Sequence, residues 1–330
     1  MEVIEENSEC FGTDYADLEQ TTLTKFHIDT GDNPPVYRRP YSWFSYAERE
    51  YLREDLKKMV ESGILIPTTH VPANSSNSGW SFPCRYVKKK TGDRRLVTDF
   101  RELNKITVRD TWPLPNLVDV LEALGSANFY STLDLLKGFH QIAVDENSIP
   151  KLTIATPWGC YSYRVLPFGV INGPACFSRT IYLAIEPFIN DCAIAYLDDV
   201  TIYNKSIDEQ IESLGKVFQR FIDVRMKLNP NKCMFLQQKV ELLGFIVSPN
   251  GIQPTQSKID KILQFPRPTN QTGIRAFVNL CGFYRRHVNL FSDICAPLND
   301  LLKKNVPFVW SEKCEKAFIT LKVFRKGSFR

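Results

Sequence analysis

Two adjacent aspartates, Asp198 and Asp199, are the residues of this chain best placed to do chemistry. They lie between two short runs rich in β-forming residues, 193–197 and 200–203, which predicts a tight hairpin with both carboxylates at its bend. Two neighbouring negative charges repel each other, and a hard divalent cation such as Mg²⁺, which prefers carboxylate oxygens, would relieve that repulsion. The alternative interpretation is a solvated polar turn, where aspartate is common.

The elements around this hairpin predict a third carboxylate beside it. In chain order they are a strand over 128–135, a helix that begins at Pro174, the hairpin itself, a helix capped by Ser206 and Glu209, and a strand over 240–247. This order is β-α-β-β-α-β, the split arrangement of ferredoxin-like folds. The end of the first strand then lies at the same sheet edge as the hairpin, which brings Asp134 to Asp198 and Asp199. The alternative is that Asp134 only caps its strand.

The flanking segments have simpler patterns. Residues 1–40 are polar and interrupted by prolines, which favours a linker or a lead-in strand. A capping box at Ser45 and Glu48 begins a helix that ends at Gly63. A β-hairpin follows over 81–89 and 95–100, with basic residues around its turn. Three amphipathic helices over 257–265, 272–287 and 291–303 predict a small helical subdomain, whose basic faces either bind a polyanion or are merely solvated.

Composition restricts the class of protein only loosely. Hydrophobic residues make up 43% and charged residues 24% of the 330 residues, which is ordinary for a globular chain, and the net charge of +4 permits a nucleic-acid partner without requiring one. Nine cysteines without a Cys-x-x-Cys pair indicate reduced thiols in an intracellular protein. The four histidines share no ligand spacing with them, so we expect no zinc site. Neither a membrane-spanning stretch nor a signal peptide is recognisable.

Three converging carboxylates that bind two divalent ions suit in-line phosphoryl transfer. One ion lowers the pKa of the attacking hydroxyl, and the other stabilises the leaving oxygen. A ferredoxin-like sheet with this chemistry is typical of the palm of a nucleic-acid polymerase.

Six motifs occur in an order that identifies a family. They are VKKK (87–90), RLVTDFRELNK (95–105), LDLLKGFHQI (133–142), LPFGVINGPA (166–175), YLDD (196–199) and LLGF (242–245). With them the chain resembles the reverse transcriptases of gypsy-class LTR retrotransposons, and more distantly those of retroviruses, from about His27 to about Lys322. Each motif alone is weak, whereas the six together at this spacing are highly specific.

The resemblance implies an α+β fold, a right-hand polymerase with a ferredoxin-like palm, fingers and a helical thumb. It implies the following division: a lead-in segment over 1–40, fingers over 41–110 and 142–172, palm over 111–141 and 173–253, thumb over 254–304, and a truncated start of the connection or ribonuclease H region over 305–330.

The resemblance also implies roles for individual residues. The metal ligands are Asp134, Asp198 and Asp199. The incoming nucleotide is bound by Lys89 and Arg95, by Phe139 as a steric gate against a ribose 2′-hydroxyl, and by Phe168 and Gly169 in the pocket wall. The primer grip is Leu243, Gly244 and Phe245. Without the motifs, Phe139 would be read as core and the lysines as a solvated turn.

The implied activity is RNA-directed DNA synthesis by part of a Pol polyprotein. It uses two Mg²⁺ ions, for which Mn²⁺ is a possible substitute, a primer on an RNA or DNA template, and dNTPs. The expected location is the cytoplasm, in virus-like particles, with the nucleus left open. Two alternatives remain: a decayed copy that only folds or binds nucleic acid, and an RNA-dependent RNA polymerase, against which the bulky gate Phe139 argues. Oligomeric state is not predicted.

Some segments depart from the family pattern. Leu136-Lys137 replaces the usual Lys-Ser, Phe139 the common tyrosine, and residues 68–79 resemble an insertion in the fingers. Residues 323–330 do not fit the segment that leads to ribonuclease H, so we expect a truncated or decayed copy. The triplet Asp29-Thr30-Gly31 mimics an aspartic protease, but Asp-Asn-Pro-Pro follows at once, and we expect no protease activity.

Overall fold

The computed structural model describes residues 2–41, 45–68, 79–88, 94–113, 115–197, 199–285, 288–304 and 306–322, with only the backbone of residues 47, 88, 94 and 95. The chain forms two compact units. The first comprises residues 1–120 and 131–236, and the second comprises residues 121–130 and 237–330. The predicted boundaries of fingers, palm and thumb remain predictions.

The helices and strands follow in chain order. The helices are α1 (Glu2–Glu6), α2 (Tyr46–Glu61), α3 (Arg101–Ile106), α4 (Leu117–Gly125), α5 (Gly173–Ile185), α6 (Ile207–Asp223), α7 (Gln256–Leu263), α8 (Gln271–Gly282), α9 (Phe291–Asp300) and α10 (Glu312–Lys322). The strands are β1 (Lys25–Phe26), β2 (Leu65–Pro67), β3 (Phe82–Lys88), β4 (Arg94–Thr98), β5 (Phe129–Leu133), β6 (Ala143–Val144), β7 (Thr153–Thr156), β8 (Gly159–Tyr163), β9 (Ala193–Tyr196), β10 (Asp199–Asn204), β11 (Met234–Gln237), β12 (Val240–Leu242), β13 (Phe245–Ser248) and β14 (Gly251–Pro254).

A four-stranded sheet in the order β11-β5-β10-β9 carries the predicted metal ligands. The chain passes through it as β5, α5, β9, β10, α6 and β11, which confirms the predicted β-α-β-β-α-β order. The capping box of α6 is also confirmed, since Ser206 Oγ accepts from the Glu209 N–H and the Glu209 carboxylate accepts from the Ser206 N–H. Buried Leu214, Phe218 and Phe221 line the inner face of this helix.

The predicted last strand of that sheet is wrong. The fourth strand is β11, and residues 240–247 instead form β12 and most of β13 in a separate sheet, β12-β13-β14. The physical reason is burial: Val240, Leu242 and Val247 are buried and alternate with more exposed residues, which is the stronger strand pattern. The edge strand β11 exposes Met234 and Leu236 and shows no such alternation.

A five-stranded sheet in the order β2-β8-β7-β3-β4 also belongs to the first unit. The predicted hairpin is confirmed as β3 and β4, paired antiparallel from Cys84↔Thr98 to Lys88↔Arg94. Helix α2 begins at the predicted capping box of Ser45 and Glu48. Its residues Leu52 and Leu56 are buried in the core.

The N-terminal segment does more than lead into the fold. Cys10, Phe26 and Ile28 are buried, and β1 pairs in parallel with β6. The Phe11 ring packs edge-on against Phe218 of α6 with centroids 5.3 Å apart. A polar composition suggested a linker because the few apolar residues are spaced too irregularly to predict a helix or strand. Their burial is decided by partners far along the chain.

The second unit contains β12–β14 and helices α7–α10. Helices α7, α8 and α9 confirm the three predicted ones, although α8 ends before its predicted end. Helix α10, predicted to start a further region, packs in the same unit: the Phe318 ring lies 4.6 Å from that of Phe277, and Lys322 Nζ donates to the Phe265 carbonyl at 2.9 Å. In the described part of the chain no helix has the length and apolar character needed to cross a membrane.

Candidate active site

The predicted hairpin that carries the aspartates is formed by β9 and β10, which are joined by a two-residue loop. Strands β9 and β10 pair antiparallel from Ile202↔Ala193 to Asp199↔Tyr196, so only Leu197 and Asp198 separate the paired ends. Leu197 has φ 57°, a left-handed conformation that costs a non-glycine residue on the order of 1–3 kcal/mol. Tight hairpin turns require positive φ, so the pairing of the strands imposes this conformation. Asp199 is exposed at the start of β10, and Asp198 lies outside the described residues.

Asp134 follows the last residue of β5, and residues 229–233 of a neighbouring loop contact both its backbone and its carboxylate. Its carboxylate oxygens lie 3.2 and 3.3 Å from Lys232 Nζ, its N–H donates to Cys233 Sγ at 3.5 Å, and its carbonyl accepts from the Asn229 N–H at 2.8 Å. The ion pair is open to solvent, with 41% of the Asp134 side chain and 61% of the Lys232 side chain exposed, so it contributes no more than about 1 kcal/mol. Lys232 thus offsets the charge of Asp134 without burying it.

The structure places Asp134 and Asp199 on neighbouring strands. β5 and β10 are adjacent in the sheet, Asp134 comes directly after β5, and Asp199 begins β10. In a β-α-β-β-α-β sheet of this strand order those two ends meet at one edge. Carboxylate oxygens that solvent can reach are ligands suited to a hard divalent cation. No group of three or more His, Cys, Asp or Glu among the described residues could hold a metal ion, and the predicted third ligand, Asp198, is not among them.

The predicted gate residue Phe139 lies in a cluster of aromatic rings. It sits on a short 3-10 helix, Gly138–Gln141, and its ring stacks on Phe168 with centroids 4.7 Å apart and tilts against Phe177 at the same distance. A Cβ at Gly138 would lie 2.6 Å from the Phe177 ring, so only glycine fits there. Phe139 and Phe168 are half-buried, so neither ring belongs to the fully buried core.

The loop that contains Gly169 has a fixed shape. Gly169 has φ 98°, and an added Cβ would lie 3.4 Å from the Thr98 carbonyl oxygen. Asn104 fixes the loop from α3: its Nδ2 donates to the Gly169 carbonyl, and its Oδ1 accepts from the Ile171 N–H, both at 2.9 Å. Asn104 belongs to the second motif, but no local pattern in that motif predicts this contact.

The basic residues predicted to bind a triphosphate belong to the β3–β4 hairpin and its turn. Lys89 lies outside the described residues, as does the side chain of Arg95, whose backbone pairs with Val87 in the β3–β4 hairpin. At the base of this hairpin Arg101 donates to both carboxylate oxygens of Asp99, at 2.8 and 2.7 Å, and Tyr41 OH donates to the same group. These donors, Arg101 above all, hold the pKa of Asp99 well below its usual range.

The predicted primer grip is the turn between β12 and β13. Leu242 pairs with Phe245, and the two residues between them, Leu243 and Gly244, have φ 53° and 88°, as a type I′ turn requires. The Gly244 carbonyl accepts from the Thr255 N–H at 2.9 Å. Leu243 and Gly244 are half-buried, whereas the Phe245 side chain is only 3% exposed. Phe245 therefore holds the turn in place instead of presenting its ring at the surface.

The N-terminal segment supports the aromatic cluster from behind. The Tyr15 ring stacks on His140 with centroids 6.1 Å apart, and His140 in turn lies 5.7 Å from Phe168. Lys137 Nζ lies 3.3 Å from the centre of the Tyr15 ring, a cation–π contact. The sequence did not predict these contacts or the one between Lys232 and Asp134, because no local pattern joins residues so distant along the chain.

Comparison with known proteins identifies the family. Residues 87–247 match the family model described as reverse transcriptase (RNA-dependent DNA polymerase). The chain is 37% identical over 294 residues to the retrovirus-related Pol polyprotein from transposon 297 of Drosophila melanogaster, covering 88% of this chain and 27% of the relative. It is 31% identical over 329 residues to that from transposon gypsy of the same species, covering 94% and 31%. The chain thus spans less than a third of the length of these relatives.

Solved structures share the fold. The foamy viral protease-reverse transcriptase dRH in complex with double-stranded DNA aligns with a TM-score of 0.83 at 20% identity over 99% of this chain and 56% of that chain. The complex of the foamy viral enzyme with an RNA/DNA hybrid aligns with a TM-score of 0.76 at 21% identity over 99% and 43%. The predicted right-hand polymerase fold with mixed helices and sheets is confirmed.

The sequence motifs, the family model and the fold agree. Reverse transcriptases in general depend on a divalent metal. The chain belongs to the reverse transcriptase family, in the form found in the Pol polyproteins of gypsy-type and other LTR retrotransposons.

Proposed function

We propose that this chain is the polymerase region of a retrotransposon Pol polyprotein and extends a primer with dNTPs on an RNA or DNA template. The observation that carries the proposal is the position of Asp134 after β5 and of Asp199 at the start of the adjacent β10. This is where a palm of this topology needs carboxylates for phosphoryl transfer.

Asp134, Asp198 and Asp199 would hold the metal ions. Two Mg²⁺ ions, or Mn²⁺ in their place, would supply activation of the primer hydroxyl and stabilisation of the leaving pyrophosphate. The carboxylates present fit hard cations in chemistry and in access to solvent. Lys232 beside Asp134 limits the repulsion among the three carboxylates while they are assembled.

The nucleotide pocket comprises Phe139, Phe168 and Gly169, with Lys89 and Arg95 assigned to the triphosphate by resemblance. The Phe139 ring stacks on Phe168 and packs against Phe177. These contacts restrict rotation of the ring, so it would not make room for a ribose 2′-hydroxyl. A fixed bulky ring next to the sugar favours deoxynucleotides. The Asn104 hydrogen bonds keep the Gly169 loop from closing this space.

The proposed partner is a template-primer duplex. The solved relatives were determined with double-stranded DNA and with an RNA/DNA hybrid. In the second unit, the exposed cations Lys261 and Arg275 suit contacts to phosphates, which would be salt-dependent and independent of sequence. The primer would meet the turn at Leu243 and Gly244, since the Phe245 ring is buried.

The proposed location is the cytoplasm, in virus-like particles, with the nucleus as a further compartment. All nine cysteines are free thiols, which agrees with a reducing environment.

Primer extension tests the proposal. With an RNA template, dNTPs and Mg²⁺, the unmutated chain should extend a DNA primer, and Asp198→Asn and Asp134→Asn should each lower the rate by about a hundredfold or more. Asp208→Asn, an exposed aspartate on α6, is the matched control and should retain the rate. Binding of primer-template without extension by the unmutated chain would identify a decayed copy and refute the polymerase proposal.

A further inference from the structure

A buried glutamine joins three strands of the sheet that carries Asp134 and Asp199. Gln210 is fully buried on α6, and its Nε2 donates to Ser131 Oγ of β5 at 2.9 Å and to the Ile202 carbonyl of β10 at 3.2 Å. Ser131, also fully buried, accepts a further bond at 3.1 Å from the Leu236 N–H of β11. One side-chain amide and one hydroxyl thereby link β5, β10 and β11 to the helix.

The position of this amide along the strands gives it a specific consequence. Ser131 lies three residues before Asp134, and Ile202 lies three residues after Asp199. A donor that contacts both Ser131 and Ile202 fixes the register of the two strands at that point. The same register determines how far Asp134 lies from Asp199, because a strand transmits a shift along its length.

Hydrophobic packing alone does not require an amide here. An apolar side chain of similar volume would fill the space, and burying a polar group that lacks full hydrogen bonding is unfavourable. Gln210 Oε1 has no partner among the described residues, so the amide is kept at a cost to stability. Its two donated bonds, unlike apolar contacts, have a direction and so specify one strand register.

Helix α6 delivers Gln210 to this place. The capping box of Ser206 and Glu209 fixes the first turn, and the Gln210 N–H donates to the Ser206 carbonyl at 3.1 Å. Just before the helix, Asn204 Nδ2 at the end of β10 donates to Ser213 Oγ at 3.1 Å. Two successive turns of α6 are therefore bonded to β10, and the Gln210 amide cannot shift along the strand.

We propose that Gln210 is a positioning residue for the metal centre: it sets the spacing of Asp134 and Asp199 through Ser131 and Ile202, without contacting metal or substrate. This rests on the proposed function, in which those carboxylates bind the metal ions. Residues that support metal ligands from behind commonly change metal affinity or activity when they are lost.

The test compares Gln210→Met with Ser131→Ala in the full chain. Mn²⁺ binding is measured by electron paramagnetic resonance without nucleotide or primer, alongside kcat, KM for dNTP and the melting temperature. Gln210→Met should weaken Mn²⁺ binding about tenfold and lower kcat similarly, with little change in KM. Ser131→Ala keeps the bond to Ile202 and should show a smaller effect in the same direction, and it serves if Gln210→Met does not fold.

Gln219→Met is the matched control, since Gln219 is an exposed glutamine of the same helix whose side chain donates to Asp223 Oδ1 at 3.0 Å. It should leave Mn²⁺ binding unchanged. A purely structural role for Gln210 predicts a lower melting temperature with an unaltered Mn²⁺ dissociation constant, and that result overturns the proposal. So does an unmutated chain whose Mn²⁺ binding is absent or insensitive to Asp134→Asn. A chain that binds Mn²⁺ through Asp134 but does not extend primers refutes the polymerase function alone, and the binding data still decide the role of Gln210.

Discussion

The rings of Phe139 and Phe168 lie nearly parallel, with their planes inclined by 11° and their centroids 4.7 Å apart. Phe139 belongs to a short helix after β5, and Phe168 belongs to the loop before α5, so the stack joins two segments of the proposed nucleotide pocket. Offset aromatic pairs of this kind contribute about 0.5–1.5 kcal/mol beyond the area they bury. Together with the contact to Phe177, this stack restricts the orientation of the Phe139 ring.

Loss of the Phe139 ring should therefore relax sugar selectivity. Phe139→Ala should raise the kcat/KM for ribonucleotides relative to deoxynucleotides on the order of tenfold to a hundredfold, because the ring no longer excludes the 2′-hydroxyl. Single-nucleotide extension with matched dNTP and rNTP measures this ratio. Phe139→Tyr keeps the ring and should keep the selectivity, and an unchanged ratio in Phe139→Ala would show that the gate lies elsewhere.

Gly244 should be sensitive to a single methyl group. Its φ of 88° is left-handed, and an added Cβ would lie 3.1 Å from Tyr284 OH and 3.2 Å from Lys258 Cε. Gly244→Ala should lower the free energy of unfolding by about 1–2 kcal/mol and weaken primer binding. Urea denaturation and a primer-template binding assay measure the two effects. Gly125→Ala, where the nearest atom would be Ile252 Cδ1 at 3.9 Å, is the control: it should not lower the free energy of unfolding and should leave primer binding unchanged.

Two N-terminal deletions test whether residues 1–20 are a linker or part of the folded structure. Removal of residues 1–7 takes away α1, which has no fully buried residue and packs only the partly buried Val3 and Ile4 against the core, and should lower the melting temperature only slightly. Removal of residues 1–20 also takes away the buried Cys10 and the ring of Phe11. This deletion should lower the melting temperature by several degrees, because a loss of about 1 kcal/mol shifts the melting temperature of a 150–250-residue unit by about 2–4 °C. Equal melting temperatures for the two deletions would support the linker interpretation.

The Asp99–Arg101 pair should make stability depend on pH in one direction. Hydrogen bonds from Arg101 hold the pKa of Asp99 below its ordinary value of 3.8. A lowered pKa stabilises the fold above that ordinary value, and the stabilisation is lost as pH falls toward the lowered pKa. The unmutated chain should therefore exceed Asp99→Asn in stability near pH 6, and the difference should shrink below about pH 4.

Chemical denaturation at a series of pH values measures this difference. Asp208→Asn removes an exposed carboxylate on α6 and serves as the control for the loss of one negative charge. A difference between the unmutated chain and Asp99→Asn that stays constant from pH 6 to pH 3 would contradict the assignment of the shift to Asp99.

The sequence predicted the helices and strands whose start or pairing is determined by residues within a few positions of each other. The capping boxes at Ser45 and Ser206 and the β-formers around Asp199 are read within a few residues, and all three elements formed where expected. The order of these elements then sufficed for the topology, because few sheets accommodate it. The six motifs then identified the family, which the match of residues 87–247 to the reverse transcriptase model supports.

Contacts that depend on distant partners were not predictable in this way. β11 lies at a sheet edge with exposed apolar residues, so its sequence lacks the alternation that marked residues 240–247. Lys232 meets Asp134 across 98 positions of sequence, and Gln210 meets Ser131 across 79. Nothing near a lysine or glutamine records which carboxylate or hydroxyl it will meet, because that is set by the packing of the strands between them.

The pairing of the N-terminal segment with the end of α6 and the loop beyond it has a consequence for biosynthesis. The Leu228 N–H donates to the Cys10 carbonyl at 2.8 Å, and Lys227 Nζ donates to the Glu9 carbonyl across 218 positions. A ribosome that adds roughly 5–20 residues per second needs on the order of 10 to 40 seconds to make that stretch. During this interval Cys10 and Phe11 have been synthesised but their partners have not, so the nascent chain exposes these residues to chaperones and proteases before it can bury them.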